Sequence, residues 1–256
     1  MRFDRRLATK VPEITLAFWI AKVLTTAMGE SISDYGVYQF NPVLAVAVGF
    51  LAFVAALAIQ LVLPRYQAAA YWLAVSMVAV FGTMAADVTH VKFHVPYAVS
   101  TTVFAVVLAV VFVAWQSVER TLSIHSITST RRELFYWATV LTTFALGTAA
   151  GDLLAIALKL GYFWAGIVFV GMICVPLLGW RYLRWNAVAS FWMAYIVTRP
   201  IGASYADWLG KPVRAGGLGL GDGVVGGTLA ALVVVFVVCF LISGRSRGPR
   251  VRAASP

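Results

Sequence analysis

Hydrophobic residues along this chain are gathered into long runs, and short polar stretches separate one run from the next. A run of about 20 apolar residues is the length that an α-helix needs to cross a bilayer. The pattern predicts eight such helices, at residues 14–35, 41–63, 67–89, 95–117, 133–158, 162–183, 187–209 and 223–243. The expected fold class is therefore all-α, a polytopic membrane helical bundle.

The odd-numbered segments share a motif, in which an aromatic residue precedes a Trp, a Gly follows ten positions later and an Asp fifteen positions later. Its four copies are Phe18-Trp19 to Gly29 and Asp34, Tyr71-Trp72 to Gly82 and Asp87, Tyr136-Trp137 to Gly147 and Asp152, and Phe191-Trp192 to Gly202 and Asp207. Because no gap is needed in any copy, the spacing indicates an internal repeat. The even-numbered segments lack the motif.

Each repeat is thus a pair of spans, at about residues 14–63, 67–117, 133–183 and 187–243. Two spans return the chain to the same side, so the four repeats are expected to be parallel rather than inverted. Residues 1–256 are predicted to form a single membrane domain. The end of the chain, 244–256, is basic and rich in Ser, Gly and Pro, which predicts a disordered tail.

Composition and charge agree with a membrane location. The chain is 61% apolar, against about 45–50% in a soluble domain. The net charge of +10 could indicate nucleic-acid binding, but fourteen of the twenty basic residues fall on the side of the N terminus and four on the other side. This bias is the signal for cytoplasmic loops. It predicts that both termini are cytoplasmic, with the lipid bilayer as a partner and no nucleic acid. No pattern defines an oligomeric state.

Small residues follow one face of each odd-numbered helix, six, ten and fourteen positions after the Trp. Seams of this kind let helix backbones approach closely in lipid. The central member of each seam is a glycine predicted to pack helices together, namely Gly29, Gly82, Gly147 and Gly202. The four odd helices are therefore expected to form an inner ring, with the even helices outside it.

The four repeated carboxylates are Asp34, Asp87, Asp152 and Asp207. Three lie near the outer ends of their spans, where a helix-end carboxylate that faces water is an alternative. Asp152 is followed by more apolar sequence and is expected to lie deeper. A carboxylate inside a membrane is costly and commonly marks an ion pathway or an internal pair. Four carboxylates at one level repel one another, so they need protons, cations or basic partners.

Three charged residues occur in only one repeat each: Lys22, Glu30 and Arg199. Glu30 and Arg199 lie eleven and seven positions after their Trp residues, on nearly the same side of their helices. This predicts an ion pair where the first and fourth repeats meet. Lys22 and Arg199 are expected to neutralise the carboxylates or to compete for them with an incoming ion.

Two histidines suggest a metal. Asp87, His90 and His94 would share one helical face if the helix continued, and His with carboxylate suits Zn, Mn or Fe. Lys92 and Pro96 indicate instead that the helix ends there, which would leave interfacial histidines.

A second alternative comes from the segment Gly219–Asp222, which resembles the GxGD motif of intramembrane aspartyl proteases. Those proteins carry a second intramembrane Asp in a tyrosine–aspartate motif, to which Tyr205-Ala206-Asp207 is only loosely similar. Their PAL motif is absent from the sequence that follows. The alternative interpretation of Gly219–Asp222 is a glycine-rich start of the last helix.

The stretch Tyr136–Leu141 before Leu146–Asp152 resembles a family of uncharacterised bacterial polytopic membrane proteins with this repeated helix. The resemblance covers nearly the whole chain, implies the bacterial inner membrane and carries no established activity. The function expected from the residues is a transporter or channel for a cation, with a divalent metal ion and protons as candidates and with Asp34, Asp87, Asp152, Asp207 and Glu30 as ligands. The alternatives are a non-catalytic scaffold and the GxGD protease. The sequence predicts no enzyme and fixes no cofactor beyond a candidate bound divalent metal ion.

Overall fold

The computed structural model describes residues 9–91 and 93–246, with backbone only at Val91 and at 243–246. These residues form eight α-helices and no strands: α1 Leu16–Gln39, α2 Pro42–Val62, α3 Ala68–Val91, α4 Tyr97–Glu119, α5 Thr130–Asp152, α6 Tyr162–Tyr182, α7 Ala187–Gly210 and α8 Asp222–Ser246. A π-helical turn, Leu153–Ala157, extends α5. The predicted all-α class is confirmed. The predicted tail, 244–256, lies outside the described residues from 247 onward, and its first three residues belong to α8.

Helix starts are fixed by short polar side chains that accept hydrogen bonds from the first free backbone N–H groups. Thr15, Ser129, Asn41 and Asn186 cap α1, α5, α2 and α7 in this way. Pro42, which cannot donate, occupies the first position of α2, where no intrahelical donor is required. The breaks between the hydrophobic runs thus coincide with chemically specified helix starts.

Six of the described helices are long and apolar enough to cross a membrane: α2, α3, α4, α5 with its π turn, α6 and α8. Helices α1 and α7 are as long but less apolar, because they carry Lys22, Glu30 and Arg199 together with several Ser and Thr residues. These charged side chains are nevertheless buried, at 1%, 3% and 0% exposed. The chain is therefore a membrane-type helical bundle whose most polar helices lie inside.

The odd helices form the predicted inner ring. Helix α1 packs against α3 and α7, and α5 packs against the same two helices. In the apolar 18-residue stretch of each helix, 72% is buried in α3 and 50% in α5 with its π turn. Only 11–28% is buried in the four even helices. The even helices consequently form an outer layer that exposes its apolar surface.

The outer helices pack mainly on the inner helix of the following repeat. Helix α2 packs against α3, α4 against α5, and α6 against α7, while α8 closes the circle against α1. Contacts inside a repeat are much sparser. The repeats are therefore interlocked around the ring rather than being four independent helix pairs.

The four seam glycines make equivalent contacts, each with the next repeat. The glycine of each repeat lies against the residue seven positions after the Trp in the next repeat, and a Cβ atom added at any of them would overlap that neighbour. The four contacts are Gly29 with Ala79, Gly82 with Phe144, Gly147 with Arg199, and Gly202 with Thr26. Because the last contact returns to the first repeat, the inner ring has cyclic pseudo-fourfold symmetry.

The two ends of the bundle differ. At the end where the inner helices begin, Lys10 N–H donates to Ile127 O and Tyr66 N–H to Thr9 O, both at 3.0 Å, so the first three odd helices start together. The Trp192 indole donates to Leu122 O at 2.9 Å and brings the start of α7 there too. The four repeats are thus parallel. We call this the basic end and the opposite one the acidic end.

Candidate functional site: a charged axis inside the ring

An aromatic layer fills the ring near the basic end. It consists of the residues that precede each Trp, namely Phe18, Tyr71, Tyr136 and Phe191, which are at most 9% exposed. The Tyr71 and Tyr136 hydroxyl groups lie 2.5 Å apart, and the rings of Phe18 and Phe191 are 6.4 Å apart between centroids. This packing closes the axis on the side of the basic end.

Lys22 lies one turn further along, in the layer three positions after each Trp. Its ammonium is 4.3 Å from the centroid of the Phe144 ring and 4.4 Å from that of Tyr195. Within the described residues, its Nζ has no hydrogen-bond partner. Contact with aromatic faces stabilises a desolvated cation, but by less than a carboxylate would. Lys22 thus carries a buried amino group that neither a carboxylate nor a hydrogen bond stabilises within the described residues.

All four inner helices meet at the next layer. Arg199 Nη2 donates to Glu30 Oε2 at 2.6 Å and to Thr148 Oγ1 at 2.7 Å, and it also contacts Thr83 Oγ1. Thr83 and Thr148 in turn point to Glu30 Oε2, at 3.2 and 3.5 Å. The structure thereby brings together the Glu30–Arg199 pair that the sequence predicts and adds two hydroxyl groups from α3 and α5.

The Gly147 contact explains how an arginine fits into this layer. A Cβ at Gly147 would meet Arg199 Cβ and Cγ, so the absence of a side chain gives room for the aliphatic stem of the arginine. The guanidinium can then cross the axis from α7 toward α1. One seam glycine therefore has a second role, since it admits the basic member of the ion pair.

Beyond this layer, carboxylates surround the ring at the acidic end. Oxygen atoms of Glu30, Asp34 and Asp207 all lie within 4.8 Å of one another. Lys211, which follows directly after α7, forms an ion pair with Asp34, and its Nζ lies 3.8 Å from Asp207 Oδ1 and 3.9 Å from Asp222 Oδ2. Burial alone would lower the pKa of Lys211, but the neighbouring carboxylates outweigh it and raise that pKa above its usual value.

Asp87 and Asp152 complete the set of repeated carboxylates and are partly buried. Both interact electrostatically with Asp34, and neither forms an ion pair within the described residues. Asp152 is the last residue of α5 before the π-helical turn, an irregularity that is often found at functional sites. The helical path thus continues beyond Asp152, as its apolar sequence predicts.

Carboxylates outnumber basic groups in this region. Within the described residues, six carboxylates lie around the acidic end and the ion-pair layer, against two basic side chains in contact with them, Arg199 and Lys211. The six are Glu30, Asp34, Asp87, Asp152, Asp207 and Asp222. Such an excess of negative charge requires protons or cations. We call these six residues the acidic cluster.

The two histidines are not part of this cluster. Helix α3 ends at Val91, so His94 lies beyond it and does not continue its face. The His90 ring contacts Val95 O through Nδ1 at 3.1 Å and Ser100 Oγ through Nε2 at 3.3 Å, and it packs against Tyr97. The shared helical face on which the metal hypothesis depends is therefore absent.

Sequence reasoning missed four residues of the site, of which Asp222 appeared only as part of the GxGD segment. Thr83 and Thr148 occupy the position eleven after their Trp, the same position as Glu30, so an alignment of the repeats could have found them. Lys211 is one of the four basic residues that the sequence places on the side opposite the N terminus. Its spacing of four from Asp207 places the two groups on the same side of the helix end, a signal that was available.

The fold and the site define a class, a four-repeat helical membrane bundle with a buried acidic cluster. The chain belongs to the family described as Repeat of Unknown Function (DUF347), whose model matches it four times, at residues 17–66, 70–121, 135–185 and 190–246. The matches coincide with the four predicted repeats. No curated protein matches the chain, and neither does any solved structure.

Proposed function

We propose that this protein is a cation transporter or channel of the bacterial inner membrane, and that divalent metal ions bind at its acidic cluster in competition with protons. The observation that carries the proposal is the convergence of Glu30, Asp34 and Asp207, whose oxygen atoms lie within 4.8 Å of one another. Carboxylate oxygens are the ligands preferred by Mg²⁺, Ca²⁺ and Mn²⁺. Asp87 and Asp152 add charge that attracts the ion.

The layers along the axis suggest a route. An ion that enters at the acidic end meets the cluster first, then the Glu30–Arg199 layer, then Lys22 and finally the aromatic layer. This route is closed in the structure, because Arg199 and the aromatic rings occupy the axis of the inner ring. Transport therefore requires Arg199 to release Glu30 and the aromatic layer to separate.

The exposed arginines support one orientation in the membrane. Exposed arginines are concentrated in the connections at the basic end, as at Arg65, Arg120, Arg131 and Arg184. Positive loops remain in the cytoplasm. We place both termini in the cytoplasm and the acidic cluster toward the outside.

A non-catalytic scaffold is the competing function, and one observation favours it. The seam glycines leave no space for even a Cβ atom, and the axis is filled by side chains. In that case Glu30 and Arg199 would only lock the four helices together. A scaffold predicts a stable bundle that transports no ion.

A GxGD-type protease has less support. Asp207 and Asp222 both approach the ammonium of Lys211, at 3.8 and 3.9 Å. An aspartic protease needs its two carboxyl groups to share a proton. Here both carboxylates lie near the ammonium of Lys211, so contact with the lysine competes with a proton shared between them. The proposal therefore assigns no enzymatic activity to the chain.

The experiment is metal flux into proteoliposomes, measured with Mn²⁺ and paired with melting of the same preparations in detergent. Asp34→Asn, Asp152→Asn and Asp207→Asn keep side-chain size and remove the charge, so each should fold, lose stabilisation by Mn²⁺ and reduce flux at least about tenfold if it removes a metal ligand. Glu13→Gln, at an exposed carboxylate near the basic end, is the control and should transport normally. Wild-type protein that carries no ion, or Asp variants that all transport at the wild-type rate, would contradict the proposal.

A further inference from the structure

The connection between α7 and α8 begins with Lys211, whose ammonium lies at the acidic cluster. The backbone of this connection is bound to the last turn of α7, with Leu220 N–H donating to Leu209 O and Gly221 N–H to Gly210 O, both at 3.1 Å. Gly219 and Gly221 have φ of 77° and 86°, a conformation that residues with a side chain rarely adopt. The backbone around Lys211 is thus fixed.

The side chain of Lys211 is less constrained than its backbone. Its Nζ contacts Asp34, lies 5.1 Å from the centroid of the Tyr38 ring, and belongs to a side chain that is 16% exposed. The long stem of a lysine can move its charge by side-chain rotation alone. The ammonium can therefore reach solvent at the acidic end without any change in the fold.

Asp207 shows that one ammonium does not satisfy the cluster. Its side chain is only 7% exposed, and no hydrogen bond reaches its carboxylate within the described part of the chain. One of its oxygens lies within 4.8 Å of oxygens of Glu30 and Asp34. A buried carboxylate without hydrogen bonds is unfavourable unless a cation or a proton neutralises it. Apart from the distant contact with Lys211, an oxygen of Asp207 is thus available to a cation that binds beside Glu30 and Asp34.

We propose that Lys211 is a tethered competitor of the transported cation: its ammonium occupies the acidic cluster between transport events, and a divalent cation binds by displacing it toward solvent. This inference rests on the proposed function and adds its regulation. The charge balance favours the exchange, because a divalent ion neutralises two carboxylates where the ammonium neutralises one. The competitor keeps the cluster from remaining empty, and it also weakens binding so that the ion can leave.

The size of the expected change in the apparent Kd depends on how much of the time the Lys211 ammonium occupies the cluster. If the cluster is free of the ammonium for about a tenth of the time, the apparent Kd for a cation is about tenfold higher than the intrinsic one. Lys211→Gln removes the competitor and keeps a polar side chain of similar length. Its apparent Kd for Mn²⁺, measured by titrated melting in detergent, should fall about tenfold. The Mn²⁺ concentration for half-maximal flux should fall by the same factor.

Three further variants make the test specific. Lys159→Gln removes a charge from an exposed lysine in the α5–α6 connection, at the same end of the bundle, and should leave the affinity unchanged. Asp207→Asn in the Lys211→Gln background should abolish the gain, which shows that the ion binds in the cluster. Lys211→Arg keeps the charge and the ion pair, so it should bind Mn²⁺ no more tightly than wild type. This variant also tests the role of Lys211 if Lys211→Gln does not fold.

The outcomes separate this inference from the function on which it rests. Wild-type Mn²⁺ flux combined with equal or weaker Mn²⁺ affinity in Lys211→Gln would overturn the role of Lys211 and leave the cation function standing. Tighter binding in Lys211→Arg would overturn that role as well. If neither the wild type nor Lys211→Gln binds or carries Mn²⁺, the cation function fails and the inference fails with it.

Discussion

The ion pair between Glu30 and Arg199 gives the sharpest test of how the inner ring is held together. Replacing Arg199 with Met keeps an unbranched stem against Gly147 and removes the guanidinium, which binds Glu30 at 2.6 Å and contacts Thr83 and Thr148. Removing one partner of a buried pair costs about 3–5 kcal/mol, because the other charge stays behind uncompensated. The hydroxyl of Thr83 can still donate to Glu30, so we expect a value near the lower limit.

The reciprocal change is expected to cost less. Glu30→Gln keeps an acceptor for Arg199 and for the two threonines, so the loss should be about 1.5–3 kcal/mol, as for a hydrogen bond to a charged group. The double variant buries no charge at this layer. Arg199 Nε and Nη1 also lack partners within the described residues, so the double change removes two unsatisfied donors as well. Its stability should therefore approach that of the wild type.

The measurement is a double-mutant cycle on the free energy of unfolding, determined by titrating sodium dodecyl sulfate into detergent micelles. The sum of the two single losses should exceed the loss in the double variant by about 4–6 kcal/mol, which is the coupling energy of the pair. Additivity within about 0.5 kcal/mol would mean that the two groups do not interact. The interpretation of this layer as the closing contact of the ring would then be refuted.

Two further predictions concern the packing of the same axis. Gly147→Leu should lower the melting temperature strongly, because a side chain there overlaps Arg199. Gly171→Leu on the outer helix α6, where no atom of the described residues lies within 4 Å of an added Cβ, should leave it nearly unchanged. Equal effects of the two changes would show that the seam does not hold the inner helices together. Lys22→Met should raise the melting temperature, because it replaces a buried amino group that has no hydrogen-bond partner in the described part of the chain. A lower value would show that the lysine has a stabilising partner in the folded protein.

The sequence predicts much of this architecture because the repeat motif is periodic. Four Trp–Gly–Asp copies in register give the number of spans, their common direction and the inner ring, and the positions of Glu30 and Arg199 on their helices give the central pair. The packing of each outer helix on the next repeat could not be predicted. The even segments are apolar on every side, so nothing in their pattern distinguishes one inner neighbour from another.

The candidate site was harder to predict than the fold. Its decisive contacts join residues far apart in the chain, such as Lys211 with Asp34, and no periodicity relates a loop residue to a helix of the first repeat. The metal hypothesis for His90 and His94 required α3 to extend beyond Val91, but the helix ends before Pro96, whose ring disfavours a helical residue ahead of it. Local sequence thus defined the elements, and the ring closure placed their charges together.

The charges on the axis also explain why four similar repeats belong to one chain. A ring of four identical chains would place four carboxylates at one level with no basic partner, and their repulsion would have to be relieved entirely by protons or bound ions. Here the first repeat supplies Glu30 and Lys22, and the fourth supplies Arg199, at positions where the other repeats carry neutral residues. The backbone seam is the same at all four contacts, so these substitutions change the axis without changing the ring. Fusion of the repeats thus permits one asymmetric polar path inside a symmetric scaffold, which a homotetramer of single repeats could not encode.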